Sequence, residues 1–180
     1  MRVEKSNAVA LIVDIQERLF PHIDGYQELE KNVGILIGGL KALEVPVLVT
    51  EQYVKGLGAS IPSVEELIAQ DPHVEKMAFS CCDEPKFTET LELTTKRFVI
   101  IAGIESHICV LQTAIDLKER GFNPVVVEDC VGSRNPANKA NAMERLRQEG
   151  VIVSTYESIL FELCRYAGTD AFKTISKLVK

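Results

Sequence analysis

Residues 98–121 read FVIIAGIESHICVLQTAIDLKERG, and this stretch decides the fold. Phe98–Ala102 is a continuous apolar run, the pattern of a strand buried on both faces. The run enters Gly103. From Ser106 to Arg120 the apolar residues return at helical spacing, and Gly121 supplies the residue that closes a helix at its C-terminus. A buried strand, a turn and an amphipathic helix make one βα unit.

The same alternation extends in both directions. On the N-terminal side, Ala8–Val13 (AVALIV) is a second buried strand, ended by Asp14. Tyr26–Leu43 carries Leu29, Val33, Leu36, Ile37 and Leu40 at helical spacing, and Gly38-Gly39 inside it marks close packing. Pro46–Thr50 (PVLVT) is a strand. Ser63–Ala69 is a short helix opened by the capping-box pattern Ser63-Val-Glu-Glu66. Val74–Met77 is a short strand. On the C-terminal side, Asn123–Val127 is a strand, Pro136–Glu149 a helix closed by Gly150, and Val151–Val153 a last strand. Two helices follow, near Tyr156–Tyr166 and Thr169–Leu178. Repeated βα units imply right-handed crossovers and a parallel sheet, so the expected fold is a single three-layer, doubly wound α/β domain over residues 1–180. Such sheets bind ligands outside the carboxyl ends of their strands, where strand order reverses.

Composition narrows the function classes. The chain has 180 residues, 46% apolar and 26% charged, as in a soluble globular domain with one core. Twenty Lys and Arg against 26 Asp and Glu give a net charge of −6. That balance, with no tryptophan and few aromatics, argues against a nucleic-acid partner. The longest N-terminal apolar run is too short for a signal peptide or a membrane span, so no membrane partner is expected. Five cysteines at irregular spacing fit reduced thiols in the cytoplasm. Organellar import after removal of a presequence stays open. The vicinal pair Cys81-Cys82 reads as incidental rather than redox-active.

Three residues at strand ends can carry chemistry. Asp14 directly follows a buried strand, beside a low-dielectric wall that suits general-base work; a helix N-cap is the competing role. Cys109 falls in the first turn of a helix if Ser106 is its N-cap. Unpaired amide N–H groups and the helix dipole there favour a thiolate, so the thiol pKa should fall. Burial as a small apolar residue is the competing role. Lys76 enters a buried strand, which is costly unless it meets a carboxylate; a solvated edge position is its alternative. His107 is two residues from Cys109 and so does not face it on a helix. His22 and His73 lie in polar, loop-like segments.

With Asp14, Lys76 and Cys109 in this order, the sequence resembles the isochorismatase-like cysteine hydrolase superfamily. The likeness rests on Leu11-Ile-Val-Asp14-Ile-Gln16, Lys76-Met-Ala-Phe-Ser80 and Gly103-Ile-Glu-Ser-His-Ile-Cys-Val-Leu-Gln-Thr-Ala114. Thr50-Glu-Gln-Tyr53, Lys55-Gly-Leu-Gly58 and Tyr156-Glu-Ser-Ile-Leu-Phe-Glu162 are similar to the subgroup of isochorismatase domain-containing proteins. The resemblance implies a six-stranded parallel sheet in the order 3-2-1-4-5-6. It implies Asp14 as general base, Lys76 as the cation beside it, and Cys109 as nucleophile toward a small amide, carbamoyl or related carbon. It places a cis peptide at Ile104–Glu105, with the N–H groups of Glu105 and Cys109 forming an oxyanion hole. Gln16, Tyr53 and Phe79 become expected pocket residues.

Metal-using relatives carry an Asp-x-His pair after the second strand. Here that region reads Glu51-Gln52-Tyr53, so neither a metal nor another cofactor is expected. A small-molecule substrate and a homo-oligomer, dimer or larger, are expected by the same likeness. The apolar C-terminal residues Ile159, Leu160, Phe161, Leu163 and Phe172 could supply an interface or cover the sheet. The competing function is that of an oligomeric scaffold retaining the old site without turnover.

Overall fold

A computed structural model describes all 180 residues. Its sheet has six parallel strands in the order β3-β2-β1-β4-β5-β6. These are β1 (Ala8–Val13), β2 (Val47–Gln52), β3 (His73–Lys76), β4 (Phe98–Ile104), β5 (Asn123–Gly132) and β6 (Ile152–Ser154). Eight helices surround the sheet: α1 (Tyr26–Ala42), α2 (Val54–Leu57), α3 (Pro62–Ile68), α4 (Pro85–Leu93), α5 (Leu111–Glu119), α6 (Pro136–Gln148), α7 (Tyr156–Cys164) and α8 (Asp170–Leu178).

The two-residue period of a strand builds two cores. Ala8, Ala10 and Ile12 of β1 face α1, α3, α7 and α8, with Leu36, Leu40, Val64, Leu160 and Ile175. Val9, Leu11 and Val13 face the other side, against Phe87 and Leu91 of α4, Leu117 of α5 and Leu146 of α6. Both faces of β1 are therefore apolar, which is why its sequence shows no alternation. On the first face α7 packs directly on α1 at Gly39, where a Cβ would lie 2.5 Å from Leu160 Cδ2.

Ile159, Leu160 and Leu163 are buried in the chain's own core. Phe161 and Phe172 are half-buried, with ring centroids 6.2 Å apart. The C-terminal helices thus cover the sheet.

Local chemistry departs from the sequence reading in four places. α4, between β3 and β4, has no counterpart in the expected elements; Thr88, Thr90 and the flanking Thr94-Thr95 blur its apolar spacing. α3 opens at Pro62 with Ile61 as its N-cap, and Ser63 instead donates to Glu30 on α1, so the capping box does not form. β5 runs on to Gly132 rather than ending at Val127. Ile101 pairs with Val126 but Gly103 with Val131, so Ala102 alone faces residues 127–130. The polar Glu128-Asp129 in that excursion hides the strand's continuation. Finally, Ser106–Val110 is one π-helical turn before α5, with Val110 N–H donating to the carbonyl of Glu105. Ser106 is buried and its hydroxyl caps nothing.

Candidate active site

The strand order puts β1 and β4 side by side at the point where the chain's winding reverses. Their carboxyl ends carry Asp14 and the Gly103–Cys109 turn. Gly103 lets them approach: its φ is +127°, and a Cβ there would lie 2.1 Å from the Val13 carbonyl oxygen. The Ile104–Glu105 peptide that follows is cis.

Asp14, Lys76 and Cys109 converge. Lys76 is 1% exposed, which rules out the solvated edge position. Its Nζ donates to Asp14 Oδ2 at 2.7 Å, to Gln52 Oε1 at 2.8 Å, and to the carbonyls of Ala78 and Phe79 at 3.2 Å. Burial alone pushes its ammonium down, but the Asp14 charge and the nearby thiols outweigh burial and leave it raised above 10.5. Asp14 takes a second hydrogen bond at Oδ1 from Thr50 Oγ1, at 2.9 Å. Cys109 is 7% exposed, its Sγ lies 3.9 Å from Gln52 Oε1, and it shares the wall of one cleft with Asp14.

The charge state of Cys109 differs from expectation. Burial pushes its pKa well above the usual thiol value, Asp14 pushes it further, and Lys76 opposes them. Burial and Asp14 together favour the neutral thiol over the thiolate. The expectation of a lowered pKa assumed an ordinary helix start capped by Ser106, and the π turn replaces that start.

Asp14 and Cys109 open on a cleft of about 230 Å³ lined also by Leu19, Gln52, Leu57, Phe79, Ile104, Glu105, Ile108 and Arg134, and Lys76 stays behind Asp14. Phe79 therefore stands in the wall. Gln16 and Tyr53 do not, which corrects their expected place. Gln16 is fully buried and bridges two segments: its Nε2 donates to the carbonyls of Gln52 and Gly58, and its Oε1 accepts from Gln52 N–H. It braces Gln52 from behind. Tyr53 turns away over Gly56 with a φ of +39° and is 43% exposed.

Two residues that the sequence reading missed stand at the site. Gln52 ends β2 and contacts both Lys76 and Cys109. Arg134 follows β5; its N–H and Nε donate to the buried Glu105 carboxylate at 2.9 and 3.1 Å, and its terminal nitrogens make no hydrogen bond within the chain. Both lie at strand carboxyl ends, so a search of every strand end would have found Gln52. Arg134 stays hidden behind the unexpected length of β5.

His107 points elsewhere, its Nδ1 against Ser133 Oγ at 2.9 Å and its Nε2 accepting from Asn138. His73 opens β3 rather than lying in a loop, and it is half-buried beside Glu65. No group of three His, Cys, Asp or Glu side chains converges to hold a metal ion. No helix is long and apolar enough to cross a membrane.

Known proteins share this fold. An isochorismatase domain-containing protein 2 of Danio rerio is 37% identical over 99% of this chain and 89% of its own length. A Caenorhabditis elegans structure described as the MAR1 ribonuclease matches with a TM-score of 0.93 at 36% identity, covering 99% of this chain and 92% of that one. YcaC structures superpose equally well at 26% identity. The one from Pseudomonas aeruginosa, described as carrying hexane-2,5-diol and covalent acrylamide, covers 98% of this chain and 91% of that chain. The one from Escherichia coli, described as an octameric hydrolase of unknown specificity, covers 99% and 89%. The model of the isochorismatase domain matches residues 8–158, from the first residue of β1 into α7. With five-sixths of its length under that match and the doubly wound sheet in the family's order, this chain belongs to the isochorismatase domain family.

Proposed function

We propose that the protein is a metal-independent cysteine hydrolase cleaving a C–N bond in a small amide, carbamoyl or related substrate. The observation that carries this reading is one small cleft lined by both Asp14 and Cys109, with the buried Lys76 ammonium 2.7 Å behind Asp14. Glu51 and Gln52 are committed to Ser60 and Lys76, which supports chemistry without a metal at the end of β2.

Asp14 takes the Cys109 proton as the sulfur bonds to the substrate's carbonyl carbon. This order suits a thiol that rests protonated beside a carboxylate. The oxygen of that carbonyl gathers negative charge, which the N–H groups of Glu105 and Cys109 stabilise. Collapse breaks the C–N bond, and the leaving amine takes the proton from Asp14. Water then attacks the thioester, Asp14 accepts its proton, and the sulfur leaves as a thiol with that proton restored. Lys76 stabilises Asp14 as the carboxylate that begins each half of the reaction. Leu19, Leu57, Phe79 and Ile108 exclude water from an apolar substrate body, and Arg134 offers its free nitrogens at the mouth. The protein works as a homo-oligomer in the cytoplasm, the assembly by analogy with the octameric YcaC.

A screen of small amides, carbamates and thioesters tests this. Turnover abolished in Cys109→Ala, with the circular dichroism spectrum retained, supports it; no turnover by the wild type across the screen favours the scaffold role. RNA cleavage, suggested by the description of the C. elegans relative, is the second reading. Cleavage of RNA that survives Cys109→Ala would displace the thiol mechanism. Sedimentation as a monomer would refute the assembly.

A further inference from the structure

Cys81 is fully buried and has no part in the steps above, yet it stands one contact away from Asp14. Its Sγ lies 3.6 Å from Thr50 Oγ1, and the same Thr50 oxygen lies 2.9 Å from Asp14 Oδ1. Thr50 is itself fully buried. A hydroxyl has one proton to give. Asp14, paired with Lys76, is a carboxylate and can only accept, so Thr50 donates to Asp14. The hydrogen in the Thr50–Cys81 contact must then come from sulfur.

Resting on the cysteine-hydrolase reading above, we propose that Cys81 and Thr50 are positioning residues. They form a buried donor chain, Cys81 S–H to Thr50 O–H to Asp14 Oδ1, that fixes the base and tunes how readily it takes the Cys109 proton.

Three features support the assignment. Burial and the Asp14 charge push the Cys81 thiol up to about 11, so the sulfur keeps the proton it must donate. The Cys81 N–H donates to Thr113 Oγ1 at 2.9 Å, which pins the residue in place. The chain also divides the carboxylate cleanly: Oδ2 belongs to Lys76 from β3 and Oδ1 to Thr50 from β2, while the Cys109 thiol approaches from the turn after β4. These, with Cys81, are the titratable and hydrogen-bonding groups that face Asp14; Glu105 and Arg134 share the cleft as a mutually bonded pair. A donor relay polarises along its length, so each link strengthens the next.

The experiment follows alkylation of Cys109 by acrylamide across pH 5–9, read by peptide mass spectrometry on the full-length protein. Loss of the hydroxyl in Thr50→Val leaves Oδ1 without its donor, and the carboxylate then holds a proton more readily. The acid-side half-point of labelling should rise by about one pH unit, the size of one hydrogen bond to a charged group. Thr50→Ser should restore the wild-type profile, which a role in packing alone would not predict. Cys81→Ala should move the half-point the same way by a smaller amount, and it keeps the test open if Thr50→Val fails to fold. A wild-type acid limb left unmoved in both Thr50→Val and Cys81→Ala would overturn the relay while sparing the parent reading. So would Thr50→Ser behaving like Thr50→Val. Labelling of wild-type Cys109 no faster than Cys164 would overturn both.

Discussion

Lys76 meets Asp14 across an intervening strand. The ammonium starts on β3 at the sheet's edge, passes Gln52 on β2, and reaches the carboxylate after β1 at 2.7 Å. Both side chains are out of solvent. A buried pair of this kind gives little net stability, because desolvation offsets attraction, but losing one partner strands the other charge.

Lys76→Met should therefore destabilise the protein by about 3–5 kcal/mol, read from the urea midpoint at neutral pH. Combining it with Asp14→Asn removes the stranded charge. The double variant should be more stable than the sum of the two single losses predicts.

Stability should fall from about pH 9 upward. Cys81 and Cys82 rise from 9.0 to about 11 and about 12 through burial, so the folded state keeps protons that the unfolded chain has released. Lys76 is raised above 10.5, and its contribution is complete below that value and lost as pH climbs through the folded pKa. All three shifts carry the same sign. Urea midpoints measured between pH 8 and 12 should decline, and Cys82→Ala should decline less steeply than wild type.

Asp14→Asn keeps the shape of the carboxylate and removes its ability to take a proton. Acrylamide labelling of Cys109 at pH 7.5 should slow by about 100-fold or more, the usual scale for a lost general base. Unchanged labelling would mean that the thiol ionises without help.

Gly103→Ala sets a Cβ against the Val13 carbonyl at a φ of +127°. Backbone must move to admit it. The expected loss is about 3 kcal/mol, and activity should fall further than stability alone explains, because Val13 precedes Asp14. Thermal melts and turnover of the same preparation would separate the two effects.

The fold was legible because the short runs of β1 and β4 are apolar on both faces and alternate with helical stretches, as a covered parallel sheet requires. Asp14, Lys76 and Cys109 were legible as strand-end residues and through the likeness to a family. Their electrostatics were not. The Cys109 thiol is pushed up by burial and by the Asp14 charge, both set by the tertiary fold, and local propensity carries no sign of either. Gln16 lies two residues after Asp14 and Tyr53 directly after Gln52, yet one braces Gln52 from behind and the other turns over Gly56. Adjacency in sequence says nothing of which way a side chain faces after a strand ends. Arg134 was hidden because the apolar run of β5 is interrupted by Glu128 and Asp129.

That interruption ties two properties of the molecule together. The excursion of residues 127–130 opposite Ala102 ends where Val131 and Gly132 pair again with Gly103 and Ile104. Arg134, two residues on, grips Glu105 in the turn that carries Cys109. The excursion is anchored as well, by Asn32 and Tyr156 at Asp129. The guanidinium and the sulfur are thus mounted on one braced unit, and what the cleft admits is not free to vary apart from what it does.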